Sequence, residues 1–156
     1  MSESGQTRDI EPQFFEQLGR AAVFWSAVES LLAEFLSYLL KADPGSMYVL
    51  NQTVSTEQLL KWIGTLVEIQ LSNRPDIAEL LERIEDSRQD RNAYIHGVWG
   101  TDSPLGTVLI QTVRLNRSTV TRSEIVTLAD LNDLVERIED LVADLSALGK
   151  NLGFFR

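Results

Sequence analysis

One histidine in 156 residues, His96, stands five positions after Arg91 and four after Asn92, in the stretch RNAYIHGVWG. These three side chains have the chemistry to cleave RNA without a metal. Such a reaction removes a proton from the ribose 2′-hydroxyl and delivers one to the departing 5′ oxygen. It also needs a fixed cation for the charge that builds on the phosphate. Imidazole titrates near neutral pH and can make either proton transfer. A guanidinium stays charged and binds phosphate through two nitrogens, so Arg91 suits the third task. Asn92 can orient either partner or bind phosphate. Spacing sets a constraint: five residues at about 100° each leave Arg91 and His96 about 140° apart on a continuous helix. They do not share a face as residues three or four apart do. They converge if the helix ends near His96, which Gly97 supports, or if a second subunit brings its copy across. The same residues also suit a purely structural role. A histidine in a last turn complements the helix dipole. An arginine in an apolar line can pack its stem and pair with a buried acid such as Glu29.

Composition removes several other classes. With no cysteine and one histidine, no disulfide and no zinc-type cluster can form. No metal and no cofactor are expected. WGTDSPLG lacks the lysine and following helix of a phosphate loop. No strand-turn-helix serine elbow accompanies the histidine, and no short helix clusters Arg, Asn and Gln for DNA reading. The net charge of −9 argues against general nucleic-acid coating. It is unevenly spread: residues 83–122 carry six arginines against four acids, +2, and the remainder carries −11. A locally basic segment in an acidic chain can steer a polyanion to one face. No run approaches eighteen apolar residues and the polar opening MSESGQTRDIEP has no secretory pattern, so a cytoplasmic protein without a membrane partner is expected.

The elements that must position the triplet read as helical. Residues 1–10 read as a flexible tail, 11–149 as one domain and 150–156 as a C-terminal tail. A long helix over 11–41 carries two apolar lines: Leu18, Ala22, Trp25, Leu32, Leu36, Leu39, and beside them Phe24, Val28, Leu31, Phe35. A helix apolar over that much of its circumference is central or shared with a second subunit. Glu29 falls inside the first line and predicts a partner, Arg88 or Arg91. KADPGS breaks the chain. A second helix opens at Ser55, with Gln58 in capping-box position, and ends near Leu71. A third runs from Pro75 to about His96, with Ile77, Leu81, Ile84 and Ile95 inward and Gly97 as a left-handed stop. TVLIQTVRL and STVTRSEIV read as a β-hairpin turning at Asn116 and Arg117. A last amphipathic helix buries Leu128, Leu131, Leu134, Ile138, Leu141, Leu145 and Leu148, stopped by Gly149. Trp25, Trp62 and Trp99 are expected in the core. The fold class is mainly all-α: a four-helix bundle with a β-hairpin inserted before the last helix.

RNAYIH, read as Arg, polar residue, three residues, His, and its continuation HGVW resemble the motif of HEPN domains. The order of elements over about 11–149 is similar to that family's as well. The resemblance implies a helical bundle, usually a homodimer and often a metal-independent endoribonuclease, with two motif copies facing each other in a cleft at the interface. Residue by residue it makes Arg91 and His96 the catalytic pair and Asn92 the polar neighbour. It implies RNA as substrate, a toxin or defence setting, and a protein inhibitor or antitoxin as a further partner. Some members of that family keep the fold without activity. The alternative is therefore a non-catalytic HEPN-like helical dimer that binds a protein partner or nucleotide. The acidic charge and the hairpin depart from the minimal pattern.

Overall fold

The computed structural model describes residues 12–103, 106–115 and 118–154; the N-terminal segment read as a tail lies outside them. The chain is mainly helical, as its periodicities predict. Five helices occur among the described residues: α1 (Pro12–Leu40), α2 (Pro44–Thr53), α3 (Thr56–Gln70), α4 (Pro75–His96) and α5 (Leu128–Leu152). Between α4 and α5 lie three strands, β1 (Val98–Ser103), β2 (Gly106–Leu115) and β3 (Ser118–Ile125).

α2 arises where the sequence reads as a break. Asp43 caps it by accepting from Ser46 N at 3.0 Å, and Pro44 stands in its first turn, where a missing N–H costs nothing. Ser55 caps α3 by accepting from Gln58 N. The complete capping box is at α5: Thr127 Oγ1 accepts from Asp130 N, and the Asp130 carboxylate accepts from Thr127 N. Two glycines behave differently from expectation. Gly97 is extended (φ −73, ψ 157) because the chain passes straight from α4 into β1. Gly149 is buried inside α5, and Gly153, at φ 83, provides the left-handed stop. The expected C-terminal tail is thus partly helix, and Phe154 folds back to stack on Phe35 with ring centroids 5.2 Å apart.

α1 is the central helix. It buries Trp25, Val28, Leu32, Phe35, Leu36 and Leu39 against α3 and against Leu134, Ile138, Leu141 and Leu145 of α5. Both of its apolar lines are therefore used largely within the chain. By length and composition alone α1 could cross a membrane. In this fold its apolar face is the middle of the core, and its other positions include Arg20, Glu29 and Glu34. Phe15 (58% exposed) and Val23 (69%) stay outside. Trp62, expected in the core, is 37% exposed, whereas Trp25 is 1% exposed. Ion pairs lace the helices at the surface: Arg20 to Glu139, Arg83 to Asp144, and Arg137 to Asp90.

The strands form one antiparallel meander, β1–β2–β3. The expected hairpin is β2 and β3, in register from Val108↔Ile125 to Leu115↔Ser118. β1 is an additional strand, pairing Val98↔Ile110, Trp99↔Leu109 and Gly100↔Val108. Trp99 fastens the sheet to the helices. Its indole donates to Tyr94 O at 2.9 Å, and its ring packs edge-on to Phe14 in a small second core with Val126 and Leu131.

Candidate functional site

α4 carries Arg91, Asn92 and His96. Its first turns are apolar inward, with Ile77, Leu80 and Ile84 buried. Going toward its C-terminus the inward positions turn polar: Ser87 is buried, and Arg91 and Asn92 are half-buried. The helix thereby leaves the core and becomes one wall of a cleft of about 590 Å³. Trp25, Ser26, Glu29 and Ser30 of α1 form a second wall, and Ser55, Thr56 and Glu57 at the start of α3 form the third.

Arg91 Nη1 donates to Asn92 Oδ1 at 2.9 Å, so the two residues act as one unit. Arg91 Nε is buried and has no hydrogen-bond partner among the described residues. A buried N–H left unpaired is uncommon in a folded chain, and a cation makes it more costly. Glu29 lines the same cleft but takes neutral donors, not the expected arginine. Trp25 Nε1 donates to its Oε1 at 3.0 Å, and the Thr56 hydroxyl donates to the same oxygen. The i, i+4 spacing of Trp25 and Glu29 is the signal for this contact; that of Thr56 depends on how α3 docks. Arg88, the other expected partner, is held by Glu85 through two bonds of 2.7 Å, with Glu57 at 4.0 Å. The hydrogen bond from Arg88 pulls the Glu85 carboxyl down to about 2, against partial burial that pushes it up. The same bond raises the already high pKa of Arg88.

His96 is not in the lining of this cleft. It is exposed in the last turn of α4 and has no hydrogen bond or ion pair among the described residues. One chain therefore brings Arg91 and Asn92 together and leaves His96 at the helix end, as the 140° separation expected from about 100° per residue requires. Two residues earlier, burial raises the pKa of Tyr94, and the carboxylates of Glu124, Asp130 and Asp90 add to the shift, so this phenol is no base at neutral pH.

Among the described residues no group of three His, Cys, Asp or Glu is placed to hold a metal. A larger groove, about 1000 Å³, lies toward the C-terminal end of α1, lined by Tyr38, Met47, Tyr48 and Phe154 among others. It contains none of the three motif residues. Comparison of the chain with protein-family models, curated proteins and solved structures gives no match.

Proposed function

We propose that the protein is an HEPN-like, metal-independent endoribonuclease that works as a cytoplasmic homodimer. The observation that carries this reading is the unpaired, buried Arg91 Nε in a polar cleft. The Arg91 guanidinium lines the cleft, a phosphate oxygen is a strong charge-assisted acceptor for it, and a ligand that reaches Nε first displaces the packing that covers it. Arg91 holds the scissile phosphate, Asn92 fixes the Arg91 fork, and His96 acts as the general acid or base, with water making the other of the two proton transfers. His96 lies outside its own chain's cleft, so a second copy completes the site. The exposed Phe15 and Val23 on α1 are available to that contact. A toxin or defence setting, with a protein that inhibits the enzyme, belongs to the same proposal.

A second reading has an observation of its own. Glu29 and Glu57 share the cleft with Arg91, and two carboxylates weaken its attraction for phosphate. A non-catalytic dimer that binds a protein partner or nucleotide would tolerate them. Cleavage of a labelled RNA by the wild type, Arg91→Ala and His96→Ala separates the two. The enzyme reading expects each substitution to lower the rate on the order of 10²-fold or more, with folding retained. Activity persisting in His96→Ala removes the catalytic assignment. A wild type that cuts nothing supports the binding dimer.

A further inference from the structure

The larger groove and the Arg91 cleft are neighbours, since Ser30 and Ala33 line both. With Ser26 and Ser37 these residues follow one another along α1 at spacings of three and four, so they share one face of the helix. Every side chain on that face is small. The two hollows thus adjoin along it, and from Ser30 to Tyr38 is about 12 Å of helix.

The two ends are chemically unlike. Arg91 and Asn92 line the cleft end. Two tyrosines line the groove end, Tyr38 from α1 and Tyr48 from α2. Tyr38 leans on Phe154 with ring centroids 5.5 Å apart, and Phe154 stacks in turn on the buried Phe35. Met47 is buried and fastens α2 to the core. Tyr48, about 100° further round that helix, is 68% exposed and has no hydrogen bond or ring contact among the described residues. Glu34 and Lys41, which also line the groove, carry opposite charges.

A guanidinium at one end of an open face and an unpartnered aromatic ring at the other match the two halves of a nucleotide, phosphate and base. We propose that the groove is the base subsite of the RNA cleft: a nucleobase of the strand whose phosphate Arg91 holds stacks on Tyr48, with Tyr38 beside it. The inference rests on the ribonuclease reading for the identity of the strand. A chain of net charge −9 gains no RNA affinity from its overall charge. Stacking, which every base can provide, supplies affinity that does not depend on it. The opposed Glu34 and Lys41 suit a neutral base better than a phosphate. The small residues between the two ends leave room for the sugar-phosphate backbone.

The test is anisotropy of a fluorescent 2′-O-methyl RNA about ten nucleotides long, which 2′-oxygen attack cannot cut, titrated with the full chain. The variants are Tyr48→Ala and Tyr48→Phe. The first should raise Kd about tenfold or more, the loss of one base–aromatic stack. The second keeps the ring and should bind as the wild type does. The loss should be the same at about 50 and 200 mM NaCl, because no phosphate contact is removed. A sugar-phosphate strand without bases should bind the wild type and Tyr48→Ala alike. This pattern in a wild type that cuts no unmodified RNA supports the groove and removes the ribonuclease reading. A Tyr48→Ala variant that binds the RNA as tightly as wild type, or a wild type that binds none, overturns the groove. Equal weakening on the base-free strand overturns it as well. So does a loss of binding that accompanies dissociation of the dimer in sedimentation, which assigns Tyr48 to a second copy.

Discussion

Replacing Glu29 by alanine tests the packing of the cleft. The Trp25 indole is 1% exposed, and its N–H has the Glu29 carboxylate as its acceptor. Removing that acceptor leaves a buried donor without a partner, at a cost of about 1–3 kcal/mol. Thr56 loses its acceptor too, but it is only half-buried and can turn to water. A central value is about 2 kcal/mol. For a chain of 156 residues this lowers Tm by about 4–8 °C. Glu29→Gln retains one oxygen for the indole and should lose less than half as much. The decisive variant is Glu29→Ala combined with Trp25→Phe, which removes donor and acceptor together. No orphan remains, so the double variant should be more stable than the sum of the single changes by about 1 kcal/mol or more. Thermal melts and denaturant titration of the four proteins read this cycle. Strict additivity, or a Tm for Glu29→Ala within about 1 °C of wild type, would refute the assignment of Glu29 as the indole's partner.

Three further expectations concern the scaffold. Thr127→Ala removes the side-chain half of the α5 capping box and should cost about 1 kcal/mol by denaturant titration. Glu85, held down to about 2 from 4.5, stabilises the fold above its unfolded pKa and ceases to as pH falls toward its folded value. Wild-type Tm should therefore decline between about pH 4.5 and 2, and Glu85→Gln should decline less steeply over that window. Gly153→Ala forces a side chain onto a backbone at φ 83; a loss of about 1 kcal/mol is expected, with a loosened Phe154–Phe35 stack visible in near-ultraviolet circular dichroism.

The long helices are legible because burial imposes its period on them: α1, α3 and α5 show a sustained apolar stripe, and α4 shows one over its first turns. α2 is not, because Pro44 and Gly45 mark breaks and helix starts alike, and the deciding feature is the Asp43 cap. β1 is hidden for a different reason. VWGTDS mixes strand formers (Val98, Trp99, Thr101) with Gly100 and Asp102, which disfavour strands, and it pairs with β2. The left-handed stop expected at Gly97 fails for the same reason, since a helix that runs directly into a strand needs no reversal. At the cleft, the sequence supplies Arg91 and Asn92 and the angle that sets His96 apart from them. It does not supply the partner of Glu29. Thr56 comes to Glu29 through the docking of α3 on α1, across 27 residues of chain, and no local pattern encodes that approach.

The central claim, a metal-independent attack by the ribose 2′-oxygen, is most directly tested by the chemistry of the cut end. Wild-type protein treated with EDTA, then incubated with RNA, should yield fragments ending in 2′,3′-cyclic phosphate by mass spectrometry. The same incubation with His96→Ala should yield none. Cleavage that EDTA abolishes, or fragments with 3′-hydroxyl and 5′-phosphate ends, would contradict proton transfer by His96 and phosphate binding by Arg91.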